Sequence, residues 1–545
     1  MVKAERGLII DRNGSTIVGN APSYNLYIVK EDAPSLHILV KKLEQLLPAL
    51  NVERALERIK KSFIYEPALV YRGLTMDNMS YLLEHIDEYR GIKIDVDTNR
   101  HYKDGLAYSH IIGYMGEALE NDIKEKGYHL GELKGKTGIE VFYEDVLKGR
   151  NGAIQAEVNN YGLINRILSE KTSMKGDDLT LNVDAELQLL VSHLFEGKKG
   201  SAVVLDIRDG SIISLYSSPS YNLDDFIPFI SIDKWKDLSS DKNKPLSNRA
   251  IEGGYPPGSV FKVIMAYAAL DDKKVSIRDN FYCAGIFNFG PLKFHCWKEG
   301  GHGYVDLRRA LVESCDIYFY NLGLILGIDS LSRHAQNLGF GEISGIDLLN
   351  EKKGVFPSRQ WKKSVLKTSW YPGETINTSI GQGYIVATPL QVAVSYATIF
   401  NGGYLYEPRL AKGIGSSVNF VRFQPKLKKK VSISPYIIKF LLEALEGVVN
   451  EPYGTGYRAK AMNFKVGGKT GTSQVASMKK TKDLKESEIP EKLRDHSWFA
   501  AIFPTDEPIY VAVALVEHGG AGSKSAASVV GAIANIMQDL GYVKK

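Results

Sequence analysis

Residues 254–262 have the sequence GYPPGSVFK, which combines a forced turn with the start of an apolar helical pattern. The prolines and glycines favour a turn, and apolar residues then recur at helical spacing from Ser259 to Leu270. We expect Ser259 at the N-terminus of this helix, where free N–H groups stabilise a developing oxyanion. The spacing of three places Lys262 one turn later on the same face, where its amine can reach the Ser259 hydroxyl and act as a base.

Two further short motifs follow in the chain. Ser314-Cys315-Asp316 lies within a predicted helix, Asp306–Leu326, and Lys469-Thr470-Gly471-Thr472 lies on a predicted strand, Phe464–Gln474. A small residue at Gly471 would let a substrate backbone approach the strand, and the two threonine hydroxyls could bind a carboxylate. Each motif alone is equally compatible with an ordinary helix or strand surface. In this order, S-x-x-K, S-x-[ND] and K-T-G together mark penicillin-recognising serine acyl-transferases.

Composition limits the alternatives. The chain has 545 residues, of which 44% are hydrophobic and 24% charged, as in ordinary folded proteins. The net charge of +5 is too small to indicate nucleic acid as the main partner. No stretch approaches the roughly 20 apolar residues that cross a bilayer. Three cysteines in so long a chain exclude a disulfide scaffold.

The pattern of predicted elements changes at the polar stretch Ser169–Asp178, which resembles a linker. Residues 1–172 alternate short strands with amphipathic helices and predict a mixed α/β domain. Residues 173–545 have a helical middle flanked by antiparallel strands and predict an α+β domain. The charged segment 476–495 is interpreted as a solvated loop between two strands.

The sequence pattern predicts further helices and strands along the chain. The predicted helices are Leu36–Leu47, Val52–Ile59, Met79–Ile86, Ile139–Leu147, one beginning at Asp184, Pro389–Phe400 and Lys524–Leu540. The predicted strands are Tyr24–Lys30, Ile92–Val96, Ser201–Asp206, Ser211–Tyr216, Trp498–Phe503 and Ile509–Val516, with a hairpin over Gly149–Val158 and Leu163–Leu168.

Beyond the three motifs, the chain resembles the class B penicillin-binding proteins, and among them the elongation-specific D,D-transpeptidases. The further landmarks are Arg6-Gly7-Leu8-Ile9-Ile10-Asp11-Arg12-Asn13-Gly14, Gly138-Ile139-Glu140 with Tyr143, Leu147 and Gly152, Asn248-Arg249-Ala250, Gly381-Gln382-Gly383 and Thr388-Pro389-Leu390-Gln391. The likeness covers essentially the whole chain. It implies a serine transpeptidase domain, built from an antiparallel sheet and a helical subdomain, after an N-terminal pedestal domain.

The resemblance also implies roles for the motif residues. Ser259 would attack the penultimate D-Ala carbonyl of a peptidoglycan stem peptide and release the terminal D-Ala, with Lys262 as general base. Ser314 and Lys469 would complete the proton relay. The main-chain N–H groups of Ser259 and Thr472 would form the oxyanion hole. An amine of a neighbouring stem peptide would then attack the acyl-enzyme to form the cross-link, and penicillins would acylate the same serine.

Substrate binding is implied for the remaining motif residues. Thr470 and Thr472, with Gly471 between them, would hold the substrate carboxylate. Asp316 stands where the wider superfamily usually has Asn, although members of this subfamily resemble it in carrying Asp. Because a carboxylate cannot donate a hydrogen bond as an amide does, the role of Asp316 stays open.

The resemblance implies a location and partners. These proteins have one N-terminal transmembrane anchor ending just before the Arg6 segment, so we expect the chain to be the ectodomain of a bacterial inner-membrane protein with its catalytic domain in the periplasm. Residues 1–172 would be a spacer, a docking surface for a RodA-type glycosyltransferase and an MreC-type scaffold, or both.

Rival functions stay open at this point. A serine β-lactamase would need a base for water, but no E-x-x-L-N segment occurs in the expected interval, and the first domain would be unexplained. A carboxypeptidase would release D-Ala without cross-linking. A non-catalytic sensor would bind β-lactams or partner proteins without turnover.

All three cysteines lie in one segment, and a histidine lies among them. Cys283, Cys296, His302 and Cys315 could form a closed Cys₃His site for structural Zn²⁺. Buried thiols, or one disulfide with a free cysteine, are the alternatives. The resemblance supports zinc, because some family members hold it with Asp, His and Cys ligands at similar positions. Cys315 would face the metal while Ser314 and Asp316 reach the active site.

Overall fold

The computed structural model describes residues 3–158, 164–416, 418–475 and 490–544. The chain divides into two compact units. The N-terminal unit comprises Met1–Thr180, Asn222–Asp237 and Gly413–Val421, and the C-terminal unit comprises Leu181–Tyr221, Leu238–Lys412 and Arg422–Lys545. The sequence predicts one domain boundary between residues 172 and 173, whereas the N-terminal unit runs to Thr180 and also includes two later stretches of the chain.

The first part of the chain alternates strands with helices, as its sequence pattern predicts. The strands are β1 (Ile9–Ile10), β2 (Thr16–Ile28), β3 (Ala68–Leu74), β4 (Ile92–Tyr102), β5 (Met115–Glu117), β6 (Leu133–Gly135), β7 (Ala153–Val158), β8 (Ile164–Lys171) and β9 (Leu179–Leu181). The helices are α1 (Leu36–Leu46), α2 (Val52–Lys61), α3 (Met76–Glu84), α4 (Gly105–Ile112), α5 (Glu120–Lys126), α6 (Gly138–Phe142) and α7 (Glu144–Leu147).

The long strand β2 organises the N-terminal unit. Residues Val18–Ile28 of β2 pair antiparallel with β4. Strands β1 and β3 pair with β2 along its other edge. Apolar residues of β2, α1 and α2, among them Leu26, Val40 and Ile59, form one buried core. The predicted hairpin is β7 with β8, and the tip between them lies outside the described residues.

A buried ion network explains two of the sequence landmarks. Arg6 donates to Glu140 Oε2 and Glu144 Oε2, each over 2.7 Å, and Arg100 Nε donates to Glu140 Oε1 over 2.8 Å. Glu140 is fully buried, so both of its oxygens depend on these guanidinium groups. The network ties the segment before β1 to α6, α7 and β4.

The rest of the chain contains the three motifs. Its helices are α8 (Ala185–Leu194), α9 (Ile232–Ser240), α10 (Lys262–Asp271), α11 (Leu307–Val312), α12 (Asp316–Asn337), α13 (Arg359–Val365), α14 (Pro372–Ser379), α15 (Pro389–Phe400), α16 (Pro435–Asn450) and α17 (Ala526–Asp539). Its strands are β10 (Gly200–Asp206), β11 (Ile212–Ser218), β12 (Phe281–Cys283), β13 (Ile286–Phe289), β14 (Leu292–His295), β15 (Gly303–Val305), β16 (Tyr404–Tyr406), β17 (Ala411–Ile414), β18 (Val421–Arg422), β19 (Leu427–Lys430), β20 (Gly467–Ser473), β21 (His496–Phe503) and β22 (Tyr510–Val516).

An antiparallel five-stranded sheet forms the centre of the C-terminal unit, in the order β11-β10-β22-β21-β20. Helices α8 and α17 cover one face, where Leu187, Phe499 and Ile533 belong to one buried core. Helix α10 is buried along its length. This arrangement confirms the predicted α+β class, with β20 at an edge of the sheet.

The predicted continuous helix Asp306–Leu326 is wrong, because the chain breaks between α11 and α12. Ser314 has a left-handed φ of 55°, and Cys315 is extended with ψ of 113°. The break frees the Ser314 carbonyl to accept from Lys262 Nζ over 2.9 Å, whereas a carbonyl inside a continuous helix already accepts a main-chain hydrogen bond. A tertiary hydrogen bond therefore overrides helical propensity at this position.

Two further predictions concern the charged segment 476–495 and membrane-spanning segments. Of the charged loop 476–495, residues 476–489 lie outside the described residues, and Glu491–Leu493 form a short 3₁₀ turn. Within the described ranges, no helix combines the length and apolar character that crossing a bilayer requires.

Candidate active site

Ser259 lies in a 3₁₀ turn, Gly258–Phe261, that leads directly into α10. Its side chain is half-buried, whereas Val260 and Phe261 are anchored in the core. Gly258 has φ of +57°, and a Cβ there would lie 2.6 Å from the Thr472 carbonyl oxygen. A glycine is therefore required for the turn to lie against β20. The predicted position of Ser259 at a helix start agrees with this geometry.

Lys262 is fully buried and bonds to the second motif. Its Nζ donates to Asp316 Oδ1 over 2.6 Å, to the Ser314 carbonyl over 2.9 Å and to Ser314 Oγ over 3.2 Å. In the described part of the chain, no hydrogen bond joins Lys262 to the Ser259 hydroxyl. The spacing of three brings the two residues to one face, but the carboxylate of Asp316 binds the amine.

The second motif reaches this site from the break between α11 and α12. The break turns Ser314 and Asp316 to the Lys262 amine, while Cys315 between them points into a thiol cluster. Helical geometry predicts the same division of side chains. The structure achieves it through the left-handed Ser314 instead.

The third motif contributes a second buried amine. Lys469 on β20 is fully buried, and its Nζ is 3.3 Å from the Thr470 carbonyl and 3.5 Å from Thr470 Oγ1. Burial, together with the nearby Lys262 side chain, holds the pKa of Lys469 well below its usual value. A lysine with a lowered pKa releases its proton more readily than an exposed lysine does.

The two threonines of β20 differ in their surroundings. Thr470 is buried, and its hydroxyl lies 2.8 Å from Thr455 Oγ1. Thr472 is more exposed and accepts from the Gly522 main-chain N–H over 3.3 Å. Of the two hydroxyls predicted to hold a substrate carboxylate, that of Thr472 is the more accessible.

Gly471 is small because the Ser259 turn packs on it. A Cβ at Gly471 would lie 2.9 Å from the Pro257 carbonyl oxygen and 3.0 Å from Val260 Cγ1. The missing side chain lets the turn that contains Ser259 approach β20. The predicted approach of a substrate backbone to Gly471 stays a prediction.

Sequence reasoning missed Gln382, which connects two motifs. Gln382 Nε2 donates to the Thr472 carbonyl over 3.1 Å, and the Gly258 N–H donates to the Gly381 carbonyl over 2.9 Å. The segment Gly381-Gln382-Gly383 was noted as a family landmark without a role. Its hydrogen bonds fix the Ser259 turn and β20 to the same short loop.

A second missed group lies at the start of the turn. Glu517 Oε1 accepts from the Tyr255 hydroxyl over 2.6 Å and from Arg249 Nε over 2.9 Å. Ser473 Oγ donates to the Pro256 carbonyl and accepts from the Trp498 indole N–H over 3.0 Å. These bonds hold the turn against the end of β22 and the end of β20.

The cysteine and histidine side chains form a second buried cluster. Cys283 ends β12, Cys296 follows β14, His302 precedes β15, and Cys315 caps α12. Their four ligand atoms lie within 4.8 Å of one another, and all four residues are buried. The cysteines are free thiols, so the disulfide alternative is not what the structure contains.

The donor set fits a tetrahedral metal site. His302 Nδ1 is 3.4 Å from Cys283 Sγ and 3.5 Å from Cys296 Sγ. Ligand bonds of about 2.3 Å for Zn–S and about 2.0 Å for Zn–N at tetrahedral angles place sulfur and nitrogen about 3.5 Å apart. The other imidazole nitrogen, His302 Nε2, is 3.9 Å from Glu313 Oε2, which is too far for a hydrogen bond, and it has no hydrogen-bond partner among the described residues.

Main-chain N–H groups surround the sulfurs. Gly285, Lys298 and Tyr318 each donate a main-chain N–H to the cysteine two or three residues before it, which favours thiolates. The Cys315 thiol also donates to the Cys296 sulfur, which lowers the pKa of Cys296 and raises that of Cys315. Burial raises the pKa of Cys283, so of the three sulfur atoms only that of Cys296 is favoured as a thiolate by these surroundings.

Comparison with known proteins gives a consistent result. The penicillin-binding protein transpeptidase domain matches residues 200–536, and the penicillin-binding protein dimerisation domain matches residues 1–181. The peptidoglycan D,D-transpeptidase MrdA of Haemophilus influenzae is 34% identical over 96% of this chain and 82% of its own length.

Two solved structures are similar over nearly the full chain. A complex between PBP2 and MreC from Helicobacter pylori contains a chain with a TM-score of 0.87 and 30% identity, covering 99% of this chain and 98% of that one. A structure described as the structural coordination of polymerization and crosslinking by a peptidoglycan synthase complex matches with a TM-score of 0.75 and 29% identity, covering 100% of this chain and 91% of that one.

Proposed function

The chain belongs to the penicillin-binding protein transpeptidases and is a peptidoglycan D,D-transpeptidase of the elongation type, and we propose that its acyl-enzyme forms at Ser259. Ser259 attacks the penultimate D-Ala carbonyl of a stem peptide, the terminal D-Ala leaves as an amine, and a neighbouring stem amine resolves the ester into the cross-link. Penicillins acylate the same hydroxyl. The observation that carries the proposal is the Lys262 network, which joins the first motif to the second.

Lys262 and Ser314 supply the proton path in this proposal. The Lys262 amine takes the proton of the Ser259 hydroxyl as the Oγ–carbonyl bond forms. Ser314 Oγ, 3.2 Å from Lys262 Nζ, passes a proton to the leaving D-Ala nitrogen as the peptide bond breaks. Lys469 faces the same group of charges and supports the relay. Asp316 holds the Lys262 amine in place and does not need to touch substrate.

The oxyanion of the tetrahedral intermediate would be stabilised by the main-chain N–H groups of Ser259 and Thr472. The missing Cβ of Gly258 supports this pairing, because it brings the turn within van der Waals distance of the Thr472 main chain. Donors fixed by the fold stabilise a developing charge without reorganisation. The more exposed Thr472 hydroxyl would hold the substrate carboxylate, with Thr470 as a buried support.

The first experiment locates the acylated residue. Penicillin should add one intact drug mass to the peptide that contains Ser259, and Ser259→Ala should abolish the adduct. Lys262→Ala should slow acylation by at least about 10²-fold, in line with general-base contributions. Lys274→Ala, an exposed lysine after α10, is the matched control and should acylate at the parent rate. A labelled Ser259→Ala protein would overturn the assignment.

The second experiment separates the rival activities. Mass spectrometry of products formed from lipid-linked precursor and its polymerase should show cross-linked stem peptides with D-Ala release. Release without cross-links would indicate a carboxypeptidase, and rapid penicillin turnover would indicate a β-lactamase. If the protein catalysed none of these reactions, it would be a non-catalytic sensor.

The Cys283, Cys296, His302 and Cys315 cluster is proposed to hold one structural Zn²⁺. The closed set of four protein ligands supports this, because catalytic zinc sites keep an open position. The metal would hold together the ends of β12, β14 and β15 and the start of α12, and it would supply no Lewis-acid chemistry. Metal analysis of protein prepared without chelators should give about one zinc per chain.

The N-terminal unit is proposed as a docking region for an MreC-type scaffold and a RodA-type glycosyltransferase. The likeness to a PBP2 structure solved with MreC supports the first, and the likeness to a peptidoglycan synthase complex supports the second. Phe63 and Tyr65, between α2 and β3, are exposed and apolar. Co-purification of the parent chain with each partner, and its loss with Phe63→Ser, would test this docking.

Attachment to the bacterial cell membrane, with the catalytic unit outside the cytoplasm, follows from the proposed substrate. Stem peptides are cross-linked in the wall, beyond the membrane. We propose that an N-terminal anchor provides this attachment, as in the family. Fractionation of cells that express the full gene should find the protein in the membrane fraction, and release by salt alone would contradict an anchor.

A further inference from the structure

A cavity of about 100 Å³ lies within the N-terminal unit. Strands β2 and β4, the segment before β1 and the stretch Phe226–Pro228 enclose it. The charged and polar residues that line it are Lys3, Arg6, Asn20, Arg72, Asp97, Thr98, Asn99, Arg100, Tyr102, Glu132, Lys148 and Asn151. A single water needs roughly 10–15 Å³ by the same kind of measure, so the space has room for several waters or for a small ligand. None of the three catalytic motifs contributes to it.

Two buried arginines line the cavity, and each has an unpaired N–H group with almost no accessible surface, so its side chain must rotate slightly to present that group to a ligand. Arg100 uses Nε on Glu140 and Nη1 on the Gly7 carbonyl, over 2.8 Å each. Its Nη2 is buried and has no hydrogen-bond partner among the residues that the structure describes. Arg72 donates from Nη2 to the Gly131 carbonyl, while its buried Nε is similarly unpaired within those residues.

These guanidinium groups lack sufficient counter-charge. Arg72 Nη1 lies 3.7 Å from Asp97 Oδ2, which Lys3 also contacts, and Arg100 shares Glu140 with Arg6. Burial lowers the pKa of both Arg72 and Arg100 from the usual value, because desolvation penalises their charge. An anion placed between them would relieve that penalty.

The charge balance selects a monoanion. Five basic residues line the cavity, and four acidic residues are their ion-pair partners: Lys3, Arg6, Arg72, Arg100 and Lys148 against Asp97, Glu132, Glu140 and Glu144. One positive charge is left over. A phosphate monoester at neutral pH carries more than one negative charge, whereas a carboxylate carries one. The planar guanidinium donors also match a carboxylate.

The unpaired side-chain oxygen of Asn99 indicates which group of the ligand lies next to its carboxylate. Asn99 donates from Nδ2 to Ser23 Oγ over 3.0 Å, and its buried Oδ1 accepts nothing from the described residues. A ligand that fills the cavity therefore needs an N–H donor near its carboxylate. A peptide C-terminus has this combination, since its last amide N–H adjoins the terminal carboxylate.

We propose that this cavity is a second, non-catalytic binding site for the C-terminal carboxylate of a peptide. The carboxylate binds the free N–H groups of Arg72 and Arg100, and the adjoining amide N–H donates to Asn99 Oδ1. The apolar side of the cavity, with Phe226, Ile227 and Pro228, contacts the last side chain. The site lies in a different unit from Ser259 and forms no covalent bond with its ligand.

The test uses small probes on penicillin-treated protein. Ligand-detected NMR titrations compare N-acetyl-D-alanine, its methyl ester, acetate and inorganic phosphate. N-acetyl-D-alanine should bind saturably with a millimolar dissociation constant, as expected for so small a ligand. Acetate should bind at least several-fold more weakly because it lacks the N–H, and the ester should not bind. Stronger binding of phosphate would overturn the carboxylate assignment.

Two variants locate the binding. Asn99→Asp adds a repelling charge and should weaken N-acetyl-D-alanine binding at least tenfold, and Arg72→Gln should do the same. Asn51→Asp, at the exposed start of α2, is the matched control and should bind as the parent does. Cooperative thermal unfolding of each variant verifies its fold. Equal binding by Asn99→Asp and parent, or no saturable binding by the parent, would overturn the site in favour of a water-filled cavity. Because these substitutions leave the serine motifs intact, the comparison holds whether or not Ser259 is acylated.

Discussion

The main-chain N–H of Trp297 donates to Asp316 Oδ2 over 3.0 Å, on the carboxylate whose other oxygen accepts from Lys262. Trp297 directly follows Cys296 of the thiol cluster. Its indole N–H also donates to the carbonyls of Glu313 and Ser314, over 3.0 and 3.1 Å. The thiol cluster and the proposed general base are therefore linked through one carboxylate and one tryptophan.

Trp297→Phe should lower the rate constant of penicillin acylation about fivefold and leave the zinc content unchanged. The substitution removes the indole donor together with part of the ring that packs edge-to-face on His302, and a hydrogen bond contributes about 1 kcal/mol. Stopped-flow acylation and metal analysis are the measurements. Trp361→Phe, a tryptophan that packs on Tyr384, is the control and should acylate as the parent does. Loss of zinc from Trp297→Phe would place its effect in the metal site.

Cys296→Ser should lower the zinc content, the thermal midpoint by several degrees and the acylation rate together. Bound metal contributes folding free energy, and its loss would loosen the hairpin that positions Trp297. The measurements are metal analysis, calorimetry and acylation. A chelator should bring the parent to the same midpoint and leave Cys296→Ser unchanged. Zinc-free parent protein of normal stability would contradict the proposal.

Ser314→Gly and Ser314→Ala separate the backbone of Ser314 from its hydroxyl. Both lose the hydroxyl, so acylation should fall to the same extent in both. Glycine accepts the left-handed φ of 55° without strain, so Ser314→Gly should be more stable than Ser314→Ala by about 1 kcal/mol. Urea denaturation and acylation rates give the two readouts. Equal stability would show that the backbone is unstrained, and retained acylation would remove Ser314 from the relay.

Gly471→Ala should reduce acylation by at least about tenfold, because its methyl group displaces the Ser259 turn from β20, and misplacement by ~1 Å can cost about 10²-fold. A Cβ there meets the Pro257 carbonyl oxygen at 2.9 Å. Gly373→Ala in α14 is the control, since its Cβ meets only Leu292 Cδ1, at 3.5 Å. Acylation kinetics with a melting curve would check both. Unchanged kinetics in Gly471→Ala would show that the turn tolerates the shift.

Lys469→Met should raise the free energy of unfolding at pH 7 while it abolishes rapid acylation. The pKa of Lys469 is well below its usual value in the folded chain, whereas unfolding restores a pKa of about 10.4. The unfolded state therefore binds this proton more tightly, and the stability of the parent rises with pH up to about 10. The advantage of Lys469→Met should shrink between pH 7 and pH 9.5. Urea denaturation at both values tests this, and a pH-independent difference would contradict it.

Local signals explain why much of the site was predictable. Pro256, Pro257 and Gly258 define a turn from their own backbone restrictions, and the apolar period after Ser259 defines α10. The strands of the central sheet were predicted from runs of apolar residues that are buried on both faces, as in β22. The α+β class follows from those elements.

Long-range contacts explain what the sequence did not reveal. Lys262 determines the break at Ser314 from 52 residues away, where local propensity favours a continuous helix. Gly471 offered no sign that its close neighbour is Pro257. Gln382 and Glu517 were undetectable because their partners lie far along the chain, 90 residues away for Gln382.

The strand order β11-β10-β22-β21-β20 has a consequence for synthesis on the ribosome. Gly200–Asp206 can form its second set of ladder bonds only with Tyr510–Val516, so this edge stays open until almost the whole chain has been made. An open apolar strand edge invites wrong pairing, which makes the nascent chain a substrate for chaperones. The nucleophile is synthesised near the midpoint of the chain, but β20, against which its turn packs, gains a partner strand only when β21 emerges. A truncated translation product would therefore contain Ser259 and yet be unable to trap a penicillin.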